Sequence, residues 1–541
     1  MITEKTRGKA RKGGLLSGVF ILTAANLLVK VLGFAYKVPL NALLGDEMAN
    51  VNAAYAIYAL LYTAATAGIP GAVSLSVSRS VALGDRRRVK LLFLSSLAFL
   101  LSLGLALFLF LALLAHPIAR MNSGGDAYLC ILAISPALFF TAAASVFRGF
   151  FQGFSDMTPT AVSQLLEALG KVALGLGFVY LSLNLWGYSH HTAAALSVFG
   201  ITLGVALGTL YLAFVFWRRG RGLLHSVCVR TRTKERGREI FRSVLTIALP
   251  ITITSAMMSL STLLDAQMMR PLLTRYYGDA ALAKAIYSDY STGAVTLYNL
   301  PAILVTPLCT AMIPYVSTAL ARNEKKSARR AMEGVLSAAS LLSLPCALGL
   351  SALAGPILSF VFHGDENMAE NAGVLLSVLA ISVFFLALLM VTSSALQAVG
   401  KERLPIWSLT VGVGVKLAFM PLFTHLFGKV GVPLSTFLFF VAVCLLNFYF
   451  VRRETGIRIG LADTFLRPAL CALLSALSAL FAFSLLSRPL SDTPALLLAI
   501  LLAVAVYVFS LLFTRAVSRS LVAKLPFGER ILTHFGRFFG A

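Results

Sequence analysis
Gly84-Asp85-Arg86-Arg87-Arg88-Val89-Lys90 runs straight into Leu91-Leu92-Phe93-Leu94-Ser95-Ser96-Leu97-Ala98-Phe99-Leu100, and no charge follows until beyond residue 115. About 20 apolar residues suffice for a helix to cross the hydrocarbon core of a bilayer. Residues 91–115 therefore read as a membrane span, and the four cations before them as its cytoplasmic anchor. The same test predicts fourteen spans, near 15–37, 53–83, 91–115, 127–149, 160–185, 192–217, 244–270, 290–320, 331–362, 371–398, 404–427, 431–451, 466–487 and 492–514.

Composition agrees. Of the 541 residues 58% are hydrophobic and only 13% charged, and mean hydropathy is +0.85. Soluble domains have about 25% charged residues, so a soluble fold is excluded. The net charge of +24 sits between apolar stretches, which removes nucleic acid as the expected partner. Six scattered cysteines without a CxxC pair indicate neither a disulfide framework nor a zinc site, and no metal is expected.

Cytoplasmic loops of membrane proteins are enriched in Lys and Arg. With the amino terminus inside, 35 of the 46 cations fall on cytoplasmic segments, and only Arg120, Arg275, Lys284, Lys429 and Arg488 lie outside. A missed span would reverse every later loop, so both termini are expected in the cytoplasm. The basic runs (Arg86 to Arg88, and Arg218 to Arg242) are expected to contact anionic lipids. Residues 515–541 mix Leu, Ile and Phe with Arg519, Lys524, Arg530 and Arg537, as an interfacial amphipathic helix would.

Leu132-Ala133-Ile134-Ser135, Gln152, Pro159 and Lys171 return in order as Leu379-Ala380-Ile381-Ser382, Gln397, Pro405 and Lys416. Helices 1–6 would thus repeat as 7–12 in the same orientation, about an axis along the membrane normal. The expected organisation is an N-lobe (1–217), a basic linker (218–243), a C-lobe (244–451), an added pair of helices (452–514) and the basic tail (515–541). Two like lobes with a seam suit a transporter that opens alternately to either side.

Charges within spans are costly and invite a functional explanation. The cations are Lys30, Lys37, Arg79, Lys171, Arg270 and Lys416, against the anions Glu167 and Asp265. Lys30 and Lys37 are two turns apart and share one helix face. Lys37, Arg79 and Arg270 lie near span ends, where snorkelling is an alternative to lining a cavity. Glu167 and Lys171, spaced i,i+4, either neutralise one another or face a cavity; Glu167 or Asp265 is also a candidate coupling site. Lys416 is central and is the repeat-mate of Lys171. Excess positive charge in a mid-membrane cavity suits an anionic substrate such as a phosphate or pyrophosphate head-group.

No G-x-x-x-x-G-K-[ST], D-x-D, G-x-S-x-G or H-E-x-x-H occurs, so ATP hydrolysis and the common transferase, hydrolase and protease chemistries are not expected. The chain reads as a non-enzyme without a cofactor. His190-His191 and His363-Gly364-Asp365-Glu366 read as solvated outer loops. Gly200, Gly204 and Gly208, four residues apart, predict close helix packing.

Lys30-Val31-Leu32-Gly33-Phe34-Ala35 resembles the first-helix motif of MurJ lipid II flippases. Phe147-Arg148-Gly149-Phe150-Phe151-Gln152-Gly153, with Met157-Thr158-Pro159 and Ser163-Gln164-Leu165-Leu166-Glu167, is similar to the stage V sporulation protein B and polysaccharide-export branch of the MOP flippase superfamily, as is Tyr298-Asn299-Leu300-Pro301. The resemblance implies an all-α, two-lobed MATE-like fold in a bacterial plasma membrane. It implies a monomer that flips an undecaprenyl-pyrophosphate-linked oligosaccharide from inner to outer leaflet, in association with cell-envelope synthases. Cleft cations, Lys30 foremost, would hold the pyrophosphate, and Arg148, Gln152 and Pro159 would form a cytoplasmic gate motif. The second arginine of the MurJ motif is Tyr36 here, followed by Lys37. Coupling would come from the membrane potential, Na+ or H+. The alternatives are a MATE-like cation-coupled drug antiporter and a polytopic glycan-assembly enzyme.

Overall fold
Gly84 turns the chain with φ +69°, a left-handed conformation open to glycine at little cost. Asp85 then accepts the Arg88 backbone N–H at 2.9 Å, capping the basic-to-apolar helix quoted above. The computed structural model describes residues 25–514 except 27, 34, 67, 124–125, 155, 228–236, 322–323, 363–365 and 457–461. The basic amino-terminal run, the amphipathic tail 515–541, the middle of the basic linker and His363-Gly364-Asp365 lie outside the described residues.

Those residues are almost all helical, with short turns between helices and no strand among them. Among the described residues ten helices are long and apolar enough to cross a membrane, or eleven if Ala280–Tyr298 and Ala302–Cys309, bent by 45°, form one broken span. Two of the ten, Leu28–Thr63 and Arg403–Thr455, each run through two of the expected spans. The number is therefore consistent with fourteen, and the chain is an all-α, multi-pass membrane protein.

The chain divides into two compact units, Met1–Pro271 and Leu272–Ala541. The described part of the first contains α1 (residues 35–44), α2 (Met48–Thr66), α3 (Ile69–Ala82), α4 (Arg86–Leu113), α5 (Ala115–Ser123), α6 (Tyr128–Ile134), α7 (Ala137–Gly153), α8 (Thr158–Asn184), α9 (His190–Val215) and α10 (Arg221–Ser226). It also takes most of α11 (Gly237–Tyr277).

The expected glycine stripe is a packing device. A Cβ on Gly204 would stand 2.7 Å from the Glu167 carbonyl oxygen and the Lys171 amide nitrogen, and one on Gly208 would stand 2.7 Å from the Ser163 carbonyl oxygen. Only glycine lets α9 approach the α8 backbone so closely. Thr202 and Thr209 on α9 donate to the carbonyls of Ala133 and Phe140, at 2.7 and 3.0 Å. These contacts fix the height and rotation of α8, which carries three of the charged or polar side chains discussed below.

The second unit contains α12 (Ala280–Asp289), α13 (Val295–Tyr298), α14 (Ala302–Ala321), α15 (Lys325–Ala352), α16 (Ala354–Val361), α17 (Glu366–Ala398), α18 (Arg403–Phe427), α19 (Gly431–Thr455), α20 (Arg467–Leu486) and α21 (Asp492–Phe513). Its core is built from α14, α15, α17 and α19, around Met312, Met332, Leu388, Val391 and Cys444. Asn447 on α19 donates to Thr392 and Ser393 on α17, at 3.2 and 3.0 Å. Tyr507 on α21 donates to the Leu341 carbonyl on α15 at 2.8 Å, joining the added helix pair to the core.

Candidate functional site
Four elements of the first unit bring a group of polar side chains together inside the apolar body. On α8, Ser163, Glu167 and Lys171 recur every four residues and so share one face. Arg148 on α7 meets that face: its Nη2 lies 2.8 Å from Glu167 Oε2, and its Nε donates to Ser163 Oγ at 3.2 Å. Arg148 is 8% exposed, whereas the Glu167 side chain retains 27% of its surface. The ion pair is therefore accessible from the glutamate side. The Tyr62 hydroxyl from α2 also neighbours the guanidinium.

One turn along α8, the Lys171 ammonium lies 5.0 Å from the Tyr36 ring centroid and 5.2 Å from that of Tyr55. Both distances are within cation–π range. Among the described residues Lys171 has no ion-paired carboxylate. Lys37 on α1 is half-buried and near enough for the two ammonium groups to repel. Tyr36 is buried, with its hydroxyl donated to the Ser197 carbonyl at 3.3 Å. A Cβ at Gly175 would stand 2.6 Å from that hydroxyl, so the glycine makes its room. Tyr55, Tyr58 and Tyr62 form a ladder along α2, with centroid separations of 5.9 and 5.6 Å.

Lys37, Lys171, Arg148 and Glu167 are thus gathered together, three cations to one carboxylate. Of the two readings for Glu167 and Lys171, mutual neutralisation gives way to a different pairing. The arginine across the helix pair takes the carboxylate, while the lysine stem lays its ammonium on aromatic faces. Arginine presents a planar fork of N–H donors matched to a carboxylate, which an i,i+4 lysine lacks. Gln152 Nε2 donates to Thr160 Oγ1 at 3.4 Å, and Pro159 opens α8, so both stand at the α7–α8 turn beside Arg148.

The other charges lie elsewhere. Lys30 is exposed on the first helix, and Arg79 is exposed in the last turn of α3. Asp265 and Arg270 on α11 are 7% and 8% exposed. Lys416, on α18 in the second unit, is wholly enclosed at 0%. Tyr55, Tyr58 and Tyr62 were not among the residues singled out from the sequence, and Tyr36 and Ser163 were named there only within family motifs. Three tyrosines at helical spacing, Tyr55, Tyr58 and Tyr62, within a span otherwise rich in Ala and Leu were the available signal.

The profile of the family described as "Polysaccharide biosynthesis protein" matches residues 15–320, more than half of the chain. The chain belongs to that family. A second profile, MatE, matches residues 250–422. Stage V sporulation protein B of Bacillus subtilis (strain 168) is 26% identical over 539 residues, covering 96% of this chain and 99% of that protein. Lipid II flippase MurJ of the same organism is 26% identical over 456 residues, covering 82% of this chain and 83% of the relative. Among solved structures, lipid II flippase MurJ in an inward closed conformation superposes with TM-score 0.68 at 16% identity, over 91% of this chain and 98% of that one. An inward-facing multidrug MATE transporter of the MOP superfamily gives TM-score 0.61 at 16% identity, over 80% and 94%. This member of the polysaccharide-biosynthesis family is thus similar in sequence to stage V sporulation protein B and MurJ, and it shares the fold of the MurJ and MATE structures.

Proposed function
We propose that this family member flips an undecaprenyl-pyrophosphate-linked oligosaccharide, a lipid II-like or other envelope-glycan precursor, from inner to outer leaflet by alternating access. The observation that carries the reading is the cation excess around Lys171. A buried or half-buried ammonium whose near contacts are ring faces is ready to receive an anionic oxygen, because that oxygen supplies the charge-assisted hydrogen bonds that the rings do not. Lys37 adds a second positive charge. Lys30, two turns earlier on the same helix face, extends the cationic path by about 10 Å at 1.5 Å per residue. Lys416 is enclosed in this conformation, so it and Arg270 are assigned to a later stage of the cycle rather than to first capture.

The basic loops face the anionic lipids of the inner leaflet, so both termini are assigned to the cytoplasm of a bacterial plasma membrane, the side that supplies the substrate. Moving one elementary charge across 100 mV is worth about 2.3 kcal/mol. Outward movement of an anion from a negative interior is downhill, so the potential can drive the cycle without ATP, with Na+ or H+ as further coupling ions. The protein acts as a monomer beside the synthases that consume its product. The likeness to lipid II flippase MurJ and to a polysaccharide-biosynthesis family supports this substrate class.

The test is complementation of a strain depleted of its lipid II and envelope-glycan flippases. The wild-type chain should restore growth, and Lys171→Glu should abolish rescue while reaching the membrane in equal amount. Equal rescue by Lys171→Glu would overturn the role of the cluster. The MatE match together with the buried Asp265 supports a second reading, cation-coupled drug export. Efflux of a fluorescent organic cation from vesicles, lost in Asp265→Asn, would favour that reading instead.

A further inference from the structure
Resting on that reading, we infer that Glu167 is an internal stand-in for the substrate's phosphate, and that Arg148 is a substrate-binding cation released when the phosphate displaces the glutamate. The Glu167 carboxylate, the more exposed partner of the pair, takes Nη2 of the Arg148 guanidinium at 2.8 Å. The neighbouring Nε of the guanidinium donates to Ser163 Oγ at 3.2 Å, and Tyr62 flanks the group. A phosphate oxygen and a carboxylate oxygen make the same kind of charge-assisted hydrogen bond to arginine.

Lys171, one turn further along the same helix, offers the first hold for an incoming anion. An anion seated there lies beside Glu167, and like charges so placed repel. That repulsion drives the carboxylate off Arg148, and the second oxygen of the phosphate group takes its place. The exchange also breaks the ion pair that joins α7 to α8, the two helices that enclose the turn with Gln152 and Pro159. Substrate binding is thereby linked to loosening of that helical hairpin, and after release Glu167 returns and keeps Arg148 from being left as an uncompensated buried charge, which would be costly. Glu167 acts through Arg148 and is a positioning residue rather than a direct contact.

A simple structural tether and an exchanging counter-ion predict opposite signs for one substitution. The experiment measures binding of undecaprenyl pyrophosphate to the full chain in nanodiscs, with thermal unfolding measured alongside. Glu167→Gln should bind about ten times more tightly than wild type, the equivalent of one charge-assisted hydrogen bond no longer competed for, and should turn over more slowly in a vesicle flipping assay. In the double variant Arg148→Gln with Glu167→Gln the gain should vanish. If Glu167→Gln binds with unchanged or lower affinity, the stand-in role is wrong. If the double variant keeps the gain, Arg148 is not the receiving cation. Should Glu167→Gln fail to yield folded protein, Glu167→Asp, whose shorter side chain draws the carboxylate away from Arg148, should show a smaller tightening, and no tightening overturns the proposal. Absence of any binding by wild type counts against the substrate class itself, and so is separate from these outcomes.

Discussion

At the scale of single residues, the site is governed by which partner each charge finds. Tyr36 shows how one side chain serves two ends: its hydroxyl satisfies the Ser197 carbonyl, and its ring face sits beneath the Lys171 ammonium. These roles separate by substitution. Tyr36→Phe should cost about 1 kcal/mol, the net worth of one hydrogen bond, visible as a small fall in Tm with binding of undecaprenyl pyrophosphate retained. Tyr36→Leu removes the ring as well, so Lys171 loses a face that positions it, and binding should weaken several-fold. Equal binding by both variants would remove Tyr36 from the site. The presence of Lys37, Glu167 and Lys171 in the site was legible from their cost inside spans. Their partners were not, because Arg148 and Glu167 are 19 positions apart and meet only across the α7–α8 hairpin.

At the scale of elements, the α8–α9 pair sets the register of the charged face. The glycine stripe announced this in the sequence, since small residues four apart line one helix side. Gly204→Val places branched carbons where the Glu167 carbonyl and the Lys171 amide stand 2.7 Å from a Cβ. Overpacking of this sort costs about 1–3 kcal/mol, and because the obstructing atoms are backbone, the helices must separate. Tm should fall by that equivalent, and pyrophosphate-lipid binding should fall with it, since the turn bearing Glu167 and Lys171 is displaced. A Gly177→Ala control, where nothing lies within 4 Å of an added Cβ, should be near neutral. The aromatic ladder on α2 was harder to see, because a tyrosine in an apolar span reads equally as core or as interface belt.

At the scale of the whole molecule, orientation follows from loop charge. If both termini are cytoplasmic, a single cysteine at Tyr188 in a cysteine-free background should react with an impermeant maleimide added outside. One at Gly222 should react only after permeabilisation. Exchanging Arg86, Arg87 and Arg88 for glutamate weakens the local inward bias, and the fraction of chains labelled in reverse should rise. The opposite labelling pattern in the unaltered chain would refute the assigned orientation.

Apolar runs of about 20 residues have no place in water and must find lipid, so the sequence alone determined that the chain is an all-helical, multi-pass membrane protein and which charges are out of place in its apolar stretches. The tertiary structure decided how those charges are neutralised: Glu167 goes to Arg148 and Lys171 to two tyrosine rings, while Lys416 is enclosed completely. Hydropathy is a sum along the chain and survives any arrangement of helices. A side chain's partner depends on which helix face lies opposite, and that is set by packing contacts between residues far apart in sequence.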